Sequence, residues 1–300
     1  MTMPTDIGVI DLMLDFPSPD QRDWYQFLKP QLREDSKDFE FPVEYMFKDV
    51  PHVDGGPDPV GATLALMDHH GIDKAMIGVS TDSSATPGMG PNGGPGAGRG
   101  LRAVQDHPDR FFGCASVDPN RGVEAVRDLV KAYETLGIKS AQVFPAGLLP
   151  QVAINDAKFF PIYAKCVELN IPICVTTGIA GPRVPSACQA TELIDDVCYQ
   201  FPELKFVMRH GAEPWADLAV KLLLKWPNLS YSTSAFAPRY YPTEIVDFAN
   251  TRGADKVMYA GYFPMGLSLD RIFAELPGVP FEAGVWPKFL RENAVRVFDL

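Results

Sequence analysis

The sequence has little positive charge and no long apolar run, and both shortages argue against whole classes of function. Its 300 residues include 27 Lys and Arg against 38 Asp and Glu, a formal net charge of −11. We do not expect so acidic a chain to bind nucleic acid or an anionic membrane surface, because phosphate binding requires an excess of Lys and Arg. The apolar runs are also far shorter than the roughly 20 residues that span a bilayer. A small-molecule substrate or ligand is the expected partner.

Signs of export from the cytoplasm are also missing. The five cysteines are odd in number, and no two of them are spaced as C-x-x-C. This pattern indicates neither a disulfide framework nor a zinc ribbon, so we expect the thiols to pack as small apolar groups. The first residues, Met1 to Asp6, contain no basic segment. We therefore expect no signal peptide and a cytoplasmic location.

Short apolar runs alternate with helical segments along the chain. Eight runs rich in Val, Ile and Phe are typical of strands buried on both faces; they span residues 7–14, 74–80, 111–117, 138–144, 171–177, 204–210, 229–234 and 256–261. Eight strand–helix alternations predict an α/β fold, a (β/α)8 TIM barrel, as a single domain over residues 1–300. A doubly wound open sheet is the alternative, but no Gly-rich phosphate loop follows the first run.

The segments between the runs have the periodicity of amphipathic helices. In residues 122–136, which Gly137 is expected to end, one apolar stripe consists of Val123, Val126, Leu129, Val130, Tyr133 and Leu136. In residues 156–169, after Asn155 as N-cap, one side carries Phe159, Ile162, Tyr163, Cys166 and Leu169. Residues 215–225 and 242–250 repeat the pattern. Each of these segments is predicted to be a helix that covers the barrel.

Two segments interrupt the alternation. Residues 16–59 separate the first strand from its helix and are rich in Trp, Tyr and Phe. Loops this long are usually functional or disordered, and the aromatic content predicts a cap folded over the barrel mouth. Residues 83–100 are low-complexity Gly/Pro sequence. They are predicted to form a flexible loop, with a mobile flap over the same mouth as the alternative.

In a (β/α)8 barrel the catalytic groups stand at the carboxyl ends of the strands. His210 is the one histidine of five that ends a predicted strand; His69 and His70 close a predicted helix, where a positive charge is favourable. Glu213 is placed to orient His210 if the turn after it is helical. The candidate site residues at the strand ends are Asp15, Gln142, Thr176, Arg209, His210, Glu213 and Tyr262.

Six segments follow one another with recognisable spacing: Val9-Ile10-Asp11, Gly71 to Ala75, Asp156 to Pro172, Phe206 to Gly211, Tyr259 to Pro264, and Arg291 to Phe298. Together they resemble the motifs of the amidohydrolase-related family of metal-dependent hydrolases, whose members include carboxymuconate-semialdehyde and aromatic-acid decarboxylases. The resemblance runs nearly end to end. It implies a TIM barrel that forms dimers, with hydrolase-like or decarboxylase-like chemistry on a small carboxylated or cyclic metabolite.

The metal-ligand positions of that family are largely replaced. Met13 and Asp15 stand where the resemblance places two histidines of the first strand. Thr176 replaces the histidine of strand five, Tyr262 replaces the aspartate of strand eight, and His210 alone is retained. A hydrolytic zinc site generally uses three protein ligands, and Asp15 with His210 supplies two. We therefore expect no cofactor and no metal ligands, with a single divalent metal such as zinc as the alternative.

Three hypotheses follow. In the first, the chain is a diverged metal-free enzyme in which Asp15, His210 and Tyr262 transfer protons, while Arg209, Thr176, Gln142 and Glu213 contact the substrate. In the second, it is a non-catalytic homologue that binds a ligand or partners a metal-competent paralogue. In the third, it is an intact hydrolase or lyase with an unusual mononuclear metal site.

Self-association is expected under each hypothesis, because an aromatic cap offers apolar surface to an interface. We expect a homodimer or a hetero-oligomer with a paralogue. Sedimentation of a 33.0 kDa monomer at micromolar concentration would contradict this.

Overall fold

Eight strands form one parallel sheet in the computed structural model, which describes residues 3–17, 56–79, 97–182 and 184–300. The sheet order follows the chain, each strand pairing with the next in parallel register. The strands are β1 Val9–Asp11, β2 Ile72–Val79, β3 Phe111–Ser116, β4 Ser140–Val143, β5 Ile173–Thr176, β6 Phe206–Arg209, β7 Leu229–Ser232 and β8 Val257–Met258. Each lies in or overlaps a predicted run, and the predicted (β/α)8 barrel is confirmed.

The ring closes where the chain leaves β1 and β8. The backbone N–H of Tyr262 donates to the carbonyl of Met13 at 3.0 Å, and the N–H of Asp15 donates to the carbonyl of Phe263 at 2.9 Å. These bonds lie beyond the carboxyl ends of the two strands. They join the first and last strands at the mouth, where the polar strand-end residues stand.

Helices cover the outside of the sheet. Within the described residues the α-helices are α1 Pro59–His70, α2 Ala97–Asp106, α3 Val123–Leu136, α4 Phe160–Glu168, α5 Ile194–Gln200, α6 Ala216–Lys225, α7 Thr243–Phe248, α8 Leu269–Glu275 and α9 Asn293–Phe298. A π-helical turn, Ala249–Gly253, extends α7, and another, Lys288–Glu292, leads into α9. The four segments predicted to be helical correspond to α3, α4, α6 and α7.

Two details of the helix predictions change. In α3 the buried stripe is Ala125, Leu129 and Ala132, whereas Val123 is 60% exposed and Tyr133 37% exposed. The small alanines let the helix approach the sheet closely, so the buried face is rotated from the one that the larger residues suggested. Before α4, the N-terminal cap is Asp156, whose carboxylate accepts the Lys158 N–H, and not Asn155.

Alternate residues of each strand divide between two cores, because successive side chains point to opposite faces. Ile77, Ala115, Val175 and Met208 belong to the large core between the sheet and the helices. The side chains that point to the other face of the sheet fill the barrel interior; they include Ile10, Met76, Phe112, Cys114, Cys174, Val207 and Met258. All five cysteines are buried and free, which confirms the packing role predicted for them.

No helix among the described residues is long and apolar enough to cross a membrane. The predicted cap, residues 16–59, and the predicted Gly/Pro loop, residues 83–100, lie mostly outside the described residues. Both stay predictions, as does the oligomeric state.

Candidate functional site

A buried guanidinium forms the floor of the barrel mouth. Arg209, the last residue of β6, is 5% exposed. It donates through Nη1 to Oε1 of Gln142 at 2.5 Å and through Nη2 to the carbonyl of Leu12 at 3.3 Å. Gln142 in turn donates to the Ser116 hydroxyl at 3.1 Å. This network fixes a permanent positive charge below the mouth, since arginine does not lose its proton in proteins.

A pocket opens above this floor. Its polar side is formed by Asp15, Gln142, Arg209 and Tyr262, and the rest of its lining consists of Met13, Leu14, Met76, Gly78, Cys114, Phe263 and Met265. The described side chains leave room for about one water molecule. Three of the lining residues are methionines, whose unbranched side chains rearrange easily around a ligand.

Asp15 is the ionisable acid of the pocket wall. Its Oδ1 accepts the Phe16 N–H at 2.7 Å. Desolvation raises the pKa of the carboxyl to about 7, and the Phe16 N–H and the Arg99 charge oppose that shift. The residue keeps part of its surface in contact with solvent, which screens the effect. A carboxyl with this pKa exchanges a proton near neutral pH.

His210 begins a tight turn directly after β6. Its backbone has a φ of +63°, and Gly211 and Ala212 follow at +79° and +55°. Ser234 holds the imidazole: its hydroxyl accepts the His210 N–H at 3.2 Å and lies 3.1 Å from Nδ1. Desolvation, together with the Arg209 charge, lowers the pKa of His210 to about 3. His210 is therefore neutral at pH 7.

Tyr262, in the segment after β8, contacts the His210 ring. The two ring centroids are 5.1 Å apart and meet edge to face. Tyr262 has a φ of +115°, a conformation that non-glycine residues rarely adopt. Burial raises the pKa of its phenol, which stays protonated at neutral pH. Two strained residues in contact at the ends of β6 and β8 are typical of a functional site.

Gly178, two residues after β5, lies close against the turn that follows His210. Its φ is +89°, and a Cβ there would lie 2.5 Å from the carbonyl oxygen of Glu213. We expect Gly178→Ala to lower the free energy of unfolding by about 2 kcal/mol or more, because both the backbone conformation and the close approach resist a side chain. Chemical denaturation measures the loss. Gly181→Ala is the matched control, since a Cβ there meets no atom within 4 Å, and an equal loss in both variants would contradict this explanation.

A second carboxylate, Asp11, lies at the end of β1 and is fully buried. Its Oδ1 accepts the N–H groups of Met13 at 2.9 Å and Gly261 at 2.8 Å, so it connects the chain after β1 to the chain after β8. Its Oδ2 and the hydroxyl of Tyr259 both face Gly261, where a Cβ would come within 2.5 Å and 3.0 Å of them. Desolvation raises the pKa of Asp11 to about 7 despite its two N–H donors.

This shift predicts a pH dependence of stability. The folded-state pKa of Asp11 is above its unfolded value of 3.8, so the protonated carboxyl is favoured by the folded protein. Its contribution to the free energy of unfolding is complete below pH 3.8 and is lost as pH rises through 7. The amide oxygen of Asp11→Asn can accept the same two N–H groups, and the variant does not titrate. We expect its free energy of unfolding to increase by about 2–3 kcal/mol relative to that of the wild type between pH 5 and pH 8. Urea unfolding of both proteins across this range measures the difference. A difference in free energy of unfolding that is the same at every pH would contradict the raised pKa of Asp11.

The structure brings most of the sequence-predicted residues together. Asp15, Gln142, Arg209 and Tyr262 line the pocket, and His210 contacts Tyr262. Thr176 is buried at the end of β5 and is not part of the lining described above. The turn at His210 is a short 3-10 turn that contains left-handed residues. The imidazole is hydrogen-bonded to Ser234. Glu213, which was predicted to orient His210, accepts the Ile179 N–H through its backbone carbonyl.

Two residues of the site were not selected from the sequence. Ser234 was one of several hydroxyls at the end of β7, and nothing local indicated that it faces His210. Asp11 was noted only as part of a motif. A carboxylate inside an apolar strand is a signal that could have selected it, because burial without hydrogen bonds is strongly unfavourable.

The described residues of the mouth do not make a three-ligand metal site. Asp15 and His210 are the ligand-type side chains that were predicted there. Among the described residues, ligand atoms of three His, Cys, Asp or Glu side chains converge at His69, His70 and Asp270, outside the mouth.

Comparison with known proteins points to one family and one fold. A family model described as amidohydrolase matches residues 98–300. Among curated proteins, none matches the chain. Three similar solved structures are an uncharacterised TIM-barrel protein of Bordetella bronchiseptica, a 5-carboxyvanillate decarboxylase of Novosphingobium aromaticivorans and a dihydroxybenzoic acid decarboxylase of a Polaromonas species.

The structural likeness extends over whole chains. The Bordetella protein is 21% identical with a TM-score of 0.71, covering 97% of this chain and 98% of that one. The carboxyvanillate decarboxylase is 19% identical with a TM-score of 0.68, covering 99% and 98%. The dihydroxybenzoic acid decarboxylase is 17% identical with a TM-score of 0.62, covering 98% and 97%. At these identities the likeness shows a shared fold.

These structures correct one expectation from the sequence. Both decarboxylases were crystallised with bound manganese, so the expectation that the chain has no cofactor is wrong. That expectation considered only the strand ends. The fold also brings together His69, His70 and Asp270, which are distant in sequence and which a motif comparison could not connect.

Proposed function

The chain belongs to the amidohydrolase family, and we propose that it is a carbon–carbon lyase that removes the carboxyl group from a small carboxylated aromatic compound. The observation that carries the proposal is the position of Arg209, a buried positive charge below a pocket with an acid of raised pKa, Asp15, on its wall. A buried, fixed guanidinium suits a carboxylate, which it can bind through two parallel hydrogen bonds.

The apolar lining suits an aromatic ring. Phe263 and Tyr262 offer ring faces and edges, and Met13, Met76 and Met265 offer polarisable sulfur that packs well against aromatic groups. The methionines must move to admit a ring, because the described pocket holds only about one water. The decarboxylase neighbours, which act on carboxylated aromatic acids, support this substrate class.

The proposed reaction is a proton transfer coupled to loss of carbon dioxide. Arg209 binds the carboxylate of the substrate. Protonated Asp15 gives its proton to the ring carbon to which that carboxylate is attached. The bond between that carbon and the carboxyl group then breaks, its electron pair returns to the ring, and carbon dioxide leaves. Asp15 is left as a carboxylate and regains a proton from water. Tyr262, protonated at neutral pH, donates a hydrogen bond to a ring substituent.

Turnover in D2O tests the proposal. Hydroxybenzoates carrying a carboxyl group next to a hydroxyl are incubated with the protein and manganese chloride, because the neighbouring decarboxylases hold manganese. We expect a phenol with one deuterium on the carbon that lost the carboxyl group. Binding of these acids without product would contradict a lyase and favour a non-catalytic ligand-binding homologue.

A further inference from the structure

Three potential metal ligands meet on the outside of the barrel, away from the mouth. His69 and His70 are the last two residues of α1, and Gly71 alone separates them from β2. Asp270 lies in the first turn of α8, 200 residues further along the chain from His70. The proposed function uses none of the three.

The spacing of their ligand atoms suits a tetrahedral ion. His70 Nε2 lies 2.9 Å from Asp270 Oδ1, and one ligand atom from each of the three residues lies within 4.8 Å of the others. Ligands bound about 2.0–2.1 Å from a tetrahedral zinc ion are about 3.4 Å apart. The 2.9 Å contact between His70 and Asp270 and the 4.8 Å upper limit for the cluster lie on either side of this value.

The central imidazole is held in place before any ion binds. The His70 ring stacks on Phe273 of α8, with centroids 4.8 Å apart and planes inclined by 18°. It meets the His69 ring edge to face at 4.7 Å. The His70 side chain is 10% exposed and that of Asp270 is 67% exposed. One ligand is therefore fixed, while the outer ones remain accessible to an ion and to water as a fourth ligand.

A simple ion pair does not account for the whole cluster. It would explain the contact between His70 and Asp270, although a surface pair contributes little to stability. It does not involve the second imidazole, His69, whose ring meets that of His70 edge to face. The adjacent charges have partners of their own, since Asp68 pairs with Arg110 at 2.8 Å and Arg271 pairs with Glu275 at 3.1 Å.

We propose that His69, His70 and Asp270 bind a divalent transition-metal ion that fastens α1 to α8. Imidazole nitrogens and carboxylate oxygens are donors that zinc binds, and a water molecule can complete the tetrahedral set. The role is structural, because the site lies outside the mouth and its ligands come from two helices of the outer layer. This site does not depend on the proposed function.

Zinc titration of the metal-stripped full-length protein tests the proposal. Calorimetry is expected to show a site that His69→Ala and Asp270→Asn each weaken by about tenfold or more. Zinc in hundredfold excess over its dissociation constant should raise the melting temperature of the wild type by about 5 °C and that of the variants by much less. His107→Gln, which changes a histidine outside the cluster, is the matched control and should bind as the wild type does.

A second pair of variants separates this site from any ion at the mouth. Asp15→Asn and His210→Gln should leave this zinc isotherm unchanged. Cobalt in place of zinc should give the visible absorption of a tetrahedral site in the wild type, and the spectrum should be lost in His69→Ala. Zinc affinity and thermal shift that are the same in the wild type, His69→Ala and Asp270→Asn would overturn the proposal. Melting of the metal-free variants checks that each one folds.

Discussion

Asp15→Asn is expected to lower kcat by about 10²–10⁴, the contribution that a positioned acid makes to a proton transfer. The amide of asparagine can still accept the Phe16 N–H that holds this side chain, so the pocket should keep its shape. It has no proton of suitable acidity to give to the ring carbon. Binding of the carboxylated substrate should be unchanged at low pH and tighter above pH 7, because the variant removes the negative charge that Asp15 carries when it is ionised.

The pH profile of the wild type provides the second part of this prediction. Because the active form of Asp15 is the protonated acid and desolvation raises its pKa to about 7, kcat should fall as pH rises above 7. Steady-state rates between pH 5.5 and about 9 measure this fall. A variant that keeps the wild-type rate, or a wild-type rate that rises through pH 7, would show that another group supplies the proton.

Arg209→Met should weaken binding of the carboxylated substrate by about 10²–10³, since a buried charge that pairs with a carboxylate is worth several kcal/mol when one partner is removed. Methionine has a similar length but offers no donor to the substrate. The decarboxylated phenol has no carboxylate for Arg209 to bind. Its affinity should therefore change only a few-fold, and calorimetric titration of both ligands measures the contrast.

Arg209→Lys is the matched control, because it retains the charge. Lysine cannot reproduce the two directed bonds that Arg209 makes to Gln142 and the Leu12 carbonyl. We expect an intermediate loss of affinity for the acid. Equal losses for acid and phenol in Arg209→Met would mean that the side chain supports the barrel and does not recognise a carboxylate.

The barrel was predictable because its signal is local. Each strand is a short apolar run, and the alternation with helical segments can be counted without knowing any contact. Prediction of the strand ends was less accurate: β1 is confined to Val9–Asp11, whereas the apolar run spans residues 7–14. The chain beyond Asp11 continues into the mouth. There, hydrogen bonds that join Met13 and Asp15 to the segment after β8 replace regular strand pairing.

The site was only partly predictable because its geometry depends on distant contacts. Position at a strand end was enough to select Asp15, Gln142, Arg209 and Tyr262, which do line one pocket. The left-handed turn at His210 and its Ser234 partner depend on how β6 and β7 lie side by side. The meeting of His70 with Asp270 likewise spans most of the chain.

The central claim is that the mouth binds a carboxylated aromatic through Arg209 and releases its carboxyl group as carbon dioxide. The most direct test is mass spectrometry of the gas released from carboxyl-13C-labelled 2,6-dihydroxybenzoate and related hydroxybenzoates, with wild type and Arg209→Met compared in the presence of manganese. We predict labelled carbon dioxide in step with phenol from the wild type on at least one of these acids, and strongly reduced release from the variant. No release by wild-type protein from any of them, or equal release by both proteins, would contradict the account.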